Sequence, residues 1–438
     1  MKIRLIYPKF KKFLEDHPGL QQKLKEYLVG DYTMPPSLAL PILAAITPAD
    51  IEVNLTDDNV GQSIDYDERV DLVAISCFTP QAQRAYAIAD EYRKRGTRVV
   101  LGGIHPTFKP DEALLHADAV CIGEGEPLWP HILEDAKDNR LKKVYKTEKE
   151  YNLSAFPIPK REIFPDEIYK WDAHLVLTMR GCPARCSGCP IPEKEGHRFR
   201  FRPVDNIIDD ITHMPYREFY FTDDTVMLPG KRNQKFLLNI MKRTGELNAK
   251  IFLASTMMMV HDYNFYAALK KGGASSMYTV FGFDRVSKKL FSDECTREEW
   301  QKSVDLVRMI EDNGIHFFAS YGIGFDDQNR KVVDRILKFS EEAKIDLAEF
   351  FINTPFPGTP FGLKAEKEKR ILHRNYDLWN HANVVFKPIQ WTIDELMDDF
   401  YSLWNTFFDT IKPEDTIRTF SVNNDVEAAP CQQIATSL

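Results

Sequence analysis

Short apolar runs alternate with amphipathic stretches along most of the chain. Up to about residue 135 the runs Ile3–Tyr7, Ile51–Asp57, Leu72–Phe78, Arg98–Gly102 and Ala119–Ile122 have the length and content of strands. Stretches such as Ala82–Arg95 between them carry apolar residues at helical spacing. This alternation predicts a parallel sheet covered on both faces. Five strands at this spacing predict a flavodoxin-like, Rossmann-like α/β order, with ligand beyond the carboxyl ends of the strands. A second series follows: His174–Met179, Glu218–Thr222, Ile251–Ala254, Met277–Phe281, His316–Gly322 and Glu349–Ile352, with helical stretches such as Lys235–Thr244, Glu298–Glu311 and Lys331–Ala343 between them. Six such units predict a partial (β/α)6 TIM-like barrel, whose chemistry belongs at the carboxyl ends of its strands.

The rest of the chain divides around these two series. Leu14, Leu20, Leu24 and Leu28 predict a surface helix after the first strand, and His17 reads as a surface-loop histidine. Between the series the charged stretch Lys137–Lys149 and the proline-rich Phe156–Lys160 read as a linker. Its aromatics Phe156, Phe164, Tyr169 and Trp171 are expected to pack between domains. Beyond Phe361, Lys364–Arg370 reads as a solvated charge run. Leu396, Phe400, Leu403 and Phe407 predict a helix within Ile393–Phe408, and a frayed tail ends the chain. The expected units are 1–135, a linker 136–172, 173–360, and a small helical C-terminal region 361–438.

Composition narrows the classes. A chain of 438 residues is too long for one ordinary domain. A net charge of −8 excludes a nucleic-acid coat. No apolar run reaches the length of a transmembrane segment, and Met1–Pro8 reads as a strand rather than a signal peptide. Of seven cysteines, Cys77 and Cys121 fall in apolar strands, while Cys295 and Cys431 stand apart. The inventory is that of a reduced, cytoplasmic protein.

The remaining three, Cys182, Cys186 and Cys189, lie within eight residues directly after an apolar strand. Thiolates suit iron–sulfur clusters and zinc. A structural zinc site is closed by four ligands, and neither His174 nor His197 stands at a finger spacing. Three thiols on a four-iron cluster leave one iron open. Unusual residues gather at the other predicted strand ends: Asp223 and Asp224, Asp284, Tyr321 to Asp326, and Asn353 to Pro360. In the first series they are Ser76 to Gln81, Gly102 to Thr107, and Gly123 to Pro127.

The cysteine spacing resembles that of radical S-adenosylmethionine (SAM) enzymes. The first series resembles the cobalamin-binding domain that precedes the barrel in one large class of them, and the resemblance runs to about residue 410. It implies a 4Fe-4S cluster on Cys182, Cys186 and Cys189, with SAM and cobalamin as further cofactors. It implies that Asp223 and Asp224 hold the methionyl ammonium of SAM. Asp284, replacing a more usual glutamate, would lie near the ribose; Gly322 and Gly324 would approach the adenine, with Asn353 beside them. For cobalamin it implies Ser76, Thr79, Gln81, Gly102, Gly103, His105, Gly123, Glu124, Gly125 and Glu126, with no histidine on cobalt, since the Asp-x-His-x-x-Gly motif is absent. Tyr321 and His381 are candidate substrate contacts.

The implied reaction is reductive SAM cleavage at the cluster and methylation, through cobalamin, of an unactivated carbon in a small-molecule or lipid-like substrate. An external one-electron donor such as flavodoxin or ferredoxin is implied too. The same parts would serve cyclisation or ring rearrangement without net methyl transfer, and a non-catalytic cobalamin or iron–sulfur binding protein is a further alternative.

Overall fold

The computed structural model describes residues 1–27, 37–164, 173–214, 217–222 and 227–410. The first sheet contains β1 (Lys2–Tyr7), β2 (Glu52–Asp57), β3 (Leu72–Ser76), β4 (Arg98–Gly102), β5 (Ala119–Ile122) and β6 (Val144–Lys146). It is parallel throughout, in the order β2-β1-β3-β4-β5-β6. The strands are apolar on both faces because two cores sandwich them. Ile3, Leu5 and Ala74 face one core, and Ile6, Val73 and Ile75 face the other. Five strands take the predicted order. The sixth comes from the stretch read as linker, where Val144-Tyr-Lys is too short and polar to read as a strand.

The second sheet is built from β7 (Ala173–Val176), then, after the two-stranded hairpin β8 (Met179–Arg180) and β9 (Arg200–Phe201), from β10 (Glu218–Phe221), β11 (Lys250–Thr256), β12 (Ala274–Phe281), β13 (His316–Ile323) and β14 (Leu347–Ile352). All six are parallel in sequence order, and β7 and β14 are its two edges, so the barrel is partial. Outward side chains such as Phe219, Leu253, Phe281, Phe317 and Phe350 are buried in a large core beneath the helices.

Three expectations change. The helix Pro18–Tyr27 forms, but it is no free surface element: Leu14 and Leu20 are buried in the barrel core. His17 is buried, with Nδ1 at 2.7 Å from the Tyr401 hydroxyl and Nε2 at 2.9 Å from the Ala382 carbonyl. The charge run after Phe361 is partly spent in ion pairs, Lys364 and Arg370 on Asp326 and Glu366 on Lys109 of the first domain. Leu24 lies in the helix; Leu28, Tyr169, Trp171 and Cys431 fall outside the described residues.

The C-terminal region ties the two sheets together. Tyr376, Trp379 and Val385 enter the core of the first domain, and the helix Ile393–Thr410 packs on the barrel through Leu396, Phe400, Leu403 and Phe407. Phe156 lies beneath the guanidinium of Arg202, 4.7 Å from ring centroid to carbon, as its expected place between domains requires. Phe164 belongs to the core of the first domain.

Candidate active site

The carboxyl ends of the two sheets face each other. The Gly123–Glu126 loop after β5 meets the hairpin that carries the cysteines. Phe108, in the turn of helix after β4, lies against Gly358, beyond β14. Arg180, two residues before Cys182, donates to Glu124 Oε1 at 2.7 Å and to both carboxylate oxygens of Glu126. Arg200 on β9 donates to both oxygens of Glu124 at 3.1 and 3.0 Å. The four side chains are nearly inaccessible. Burial acts to raise the Glu126 pKa, and Arg180 outweighs it, so the carboxylate stays below its usual range.

The cysteines lie in the loop between β8 and β9. Gly181 adopts φ +78° there, and a side chain would strike the backbone carbonyls of Gly196 and Arg198. The Cys182 N–H donates to the Gly196 carbonyl at 3.0 Å and the Cys189 N–H to the Cys186 carbonyl at 3.3 Å, curling the loop on itself. Cys182 is buried, Cys186 and Cys189 are partly accessible, and none is in a disulfide. A curled loop with three thiols fits a cluster with one open iron. Gly188 packs so closely against the Phe283 ring and Asn353 that no side chain fits. Asn353 Oδ1 is buried there without a hydrogen-bond partner among the described residues, which fits a polar ligand beside the cluster.

The other predicted SAM residues separate. Asp223 and Asp224 fall outside the described residues. Asp284 caps the helix Arg285–Leu290: Oδ1 accepts from the Val286 and Ser287 N–H groups at 2.8 and 3.0 Å, and Oδ2 from the Ser287 hydroxyl at 2.6 Å. Its carboxylate is engaged as the cap of that helix, the structural role that competes with the expected ribose contact. Gly322 lies against Phe325 and Phe351, where a Cβ would strike both rings. Gly324, at φ +83°, turns toward Leu396 of the C-terminal helix rather than the lumen.

Tyr321 also faces outward. Its ring stacks on Phe350 and its hydroxyl accepts from Ser340, so it is a core residue and not a substrate contact. His381 stands at the mouth. It has φ +67°, its Nδ1 donates to the Ile352 carbonyl at 3.1 Å, and its ring meets Phe351 and Phe356 edge-on. Burial lowers its pKa to about 4, so the imidazole is neutral and Nε2 remains an acceptor.

Most of the predicted cobalamin side chains are engaged with protein. Gln81 donates to the Pro8 carbonyl at 2.6 Å and accepts from the Phe78 N–H at 2.9 Å. His105 is inaccessible, its Nδ1 3.2 Å from the Thr79 hydroxyl and its Nε2 3.4 Å from Glu112. Thr79, Gln81, His105, Glu124 and Glu126 are thus held by the fold and the domain junction. Ser76, Gly102, Gly103, Gly123 and Gly125 remain. Gly103, at φ +100°, approaches the Cys77 backbone so closely that a Cβ would collide with it. This tight backbone at the carboxyl edge fits a large planar ligand. Phe78, which the sequence reading passed over, is 45% exposed at the same edge. An apolar residue just past a strand end, inside a loop of polar and turn residues, was the available signal. Arg180 and Arg200 were missed too; the alternation Arg198-Phe-Arg-Phe-Arg202 marks β9, but its basic side chains suggested only a surface run.

Two family models match the chain: the B12 binding domain over residues 31–133 and the radical SAM superfamily over 176–340. The chain belongs to the radical SAM enzymes that carry a cobalamin-binding domain, and its cofactors are a 4Fe-4S cluster, SAM and cobalamin. It is similar to the bacteriochlorophyllide d C-12(1)-methyltransferase of Chlorobaculum tepidum, 27% identical over 85% of this chain and 82% of that one. The bacteriochlorophyllide d C-8(2)-methyltransferase of the same organism is 25% identical over 80% of each. In fold it matches the radical SAM methyltransferase TsrM of Kitasatospora setae, solved with cobalamin and a [4Fe-4S] cluster bound. The TM-score is 0.64, with 17% identity, over 84% of this chain and 75% of that one. The protein is thus an enzyme of a cobalamin-dependent radical SAM methyltransferase family. Among the described residues no helix is long and apolar enough to cross a membrane.

Proposed function

We propose that the enzyme methylates an unactivated carbon of a small molecule held in the barrel lumen. The observation that carries this reading is the junction: the cysteine hairpin and the Gly123–Glu126 loop are joined by Arg180 and Arg200, so the carboxyl edges of both sheets address one space. When bound, the cluster with SAM and the cobalamin supply the radical and the methyl group that the reaction needs. The chain positions and shields. Cys182, Cys186 and Cys189 would hold the cluster at the lumen edge. Asn353 offers its unpaired Oδ1 to a polar group beside it. Phe283, Phe351 and Phe356 wall the mouth with apolar rings and exclude water from reactive species. Neutral His381 orients a donor without adding charge. His105, with both ring nitrogens turned to protein, supplies no ligand to cobalt. Electrons come from an external one-electron donor.

The test uses reconstituted holoenzyme with SAM whose methyl group is trideuterated, a chemical reductant, and a panel of small molecules that includes bacteriochlorophyllide d. The expected product carries the trideuteromethyl group on carbon. Transfer only to nitrogen, oxygen or sulfur, or a rearranged product without the label, would contradict the proposal.

A further inference from the structure

Three elements close on the turn between Cys186 and Cys189. The Ser187 carbonyl accepts from the Phe361 N–H at 2.8 Å, which ties the turn to the helix Pro360–Lys367. Gly188 is buried beneath the Phe283 ring: a Cβ there would stand 2.5 Å from Phe283 Cε1 and 3.0 Å from Asn353 Oδ1. Phe283 follows β12 and Asn353 follows β14, so two strand ends of the barrel meet this turn.

The Phe283 ring is braced from behind. It stacks on Phe351, with centroids 5.5 Å and planes 15° apart, and meets Phe325 edge-on at 5.1 Å. Phe351 and Phe325 are buried, whereas Phe283 is partly accessible. Two buried rings thus hold in place one that borders open space. The Cys186 and Cys189 thiols are partly accessible as well. An apolar side chain therefore covers the backbone between two cluster thiols.

Such cover has an electrostatic consequence. Reducing a thiolate-held cluster adds one negative charge, and that charge is costlier where water is excluded. Solvent exposure is one of the levers that set a cluster's potential. Reductive cleavage of SAM calls for a strongly reducing cluster.

We propose that Phe283 sets the reduction potential of the cluster, holding it low by keeping water from the Cys186–Cys189 turn. It acts through the loop and its solvent and touches no reacting atom, so it is a positioning residue. This assignment rests on the functional reading above, in which Cys182, Cys186 and Cys189 hold the cluster. One electron enters from the external donor, and no other group is exchanged.

The test compares Phe283→Leu with Phe283→Asn in holoenzyme that carries both cofactors. The two replacements are nearly equal in size, so both lose the same packing, and only one is polar. The potential is read without SAM, by electron paramagnetic resonance during a redox titration. At a fixed poise Phe283→Leu is expected to keep the ratio of reduced to oxidised cluster within about twofold of wild type. Phe283→Asn is expected to raise that ratio about tenfold, a shift of about 59 mV for one electron. Equal potentials in the two variants, or a lower one in Phe283→Asn, would overturn the inference. So would a Phe283→Leu variant that assembles no cluster, because the ring would then be needed to build the loop. Should Phe283→Asn alone lose the cluster, Phe283→Val against Phe283→Thr repeats the comparison with a milder polar group. None of these readouts depends on turnover. Failure of the functional reading shows instead as absence of carbon-methylated product from wild type.

Discussion

Arg180 and Glu126 form a buried ion pair between the hairpin that carries the cysteines and the strand-end loop of the first domain. The pair draws in Glu124, which Arg200 also holds, so two carboxylates depend on two guanidiniums in a site closed to water. Removing one partner of such a group leaves uncompensated buried charge. Arg180→Met is expected to lower stability by about 3–5 kcal/mol in chemical denaturation. Its pH dependence should also change sign. In the wild type the depressed pKa of Glu126 contributes stability above the ordinary glutamate value of 4.5, and that contribution is lost as pH falls through the folded value. Without Arg180 burial dominates, the folded pKa rises, and acidification through that range stabilises. A variant with the wild-type slope would show that Arg180 does not hold the carboxylate.

His381 gives a second pH signature. Its pKa falls from 6.5 to about 4 on folding, so the stability it contributes is complete above 6.5 and lost as pH falls toward 4. The full swing is roughly 3 kcal/mol. His381→Asn tolerates the left-handed backbone and removes the titrating group. Its stability should be flatter than wild type between pH 6.5 and 4, read by denaturant midpoints across that window.

The two cofactor sites should be separable by single substitutions. Cys186→Ala is expected to abolish the visible absorption of the cluster while leaving cobalamin binding nearly intact. Gly103→Ala forces a Cβ into the Cys77 backbone at φ +100° and should do the reverse, weakening cobalamin binding at least tenfold with the cluster retained. Paired spectra of the two reconstituted variants check both. Loss of both cofactors in either variant would show that the sites are not independent.

Glu112 joins the first domain to the C-terminal region, accepting from the Tyr376 hydroxyl at 3.1 Å and the Tyr86 hydroxyl at 3.2 Å. It also sits beside the buried His105, whose pKa is lowered by burial despite it. Tyr376→Phe is expected to cost about 1 kcal/mol in denaturant unfolding, the net worth of one part-buried hydrogen bond. A cost near zero would mean that water replaces the hydroxyl.

The strand series was legible because parallel strands buried on both faces read as apolar runs, and β1 to β5 and β10 to β14 stand where those runs lie. The cysteine motif was legible because its chemistry is local. What pattern could not carry was the use of each polar side chain. Asp284, His105 and Glu124 stand at strand ends, where ligands bind, yet their partners are Ser287, Thr79 and Arg200. Whether a strand-end carboxylate meets a ligand or a helix N-terminus depends on its neighbours in space. Tyr321 and Ser320 show the same limit at finer scale, since adjacent residues on β13 face opposite sides and only the register tells which side is the lumen. His17 and Leu14 were misread because their partners, Tyr401 and the barrel core, lie far along the chain.

The central claim is that both cofactor sites serve one reaction. The most direct measurement reconstitutes the cluster anaerobically, adds hydroxocobalamin, SAM and a strong reductant, and follows 5′-deoxyadenosine by chromatography and methylcobalamin by its visible spectrum. Wild type should form both, and Cys186→Ala should form no 5′-deoxyadenosine. Formation of 5′-deoxyadenosine by the variant, or bound cobalamin that is never methylated in the wild type, would contradict the account.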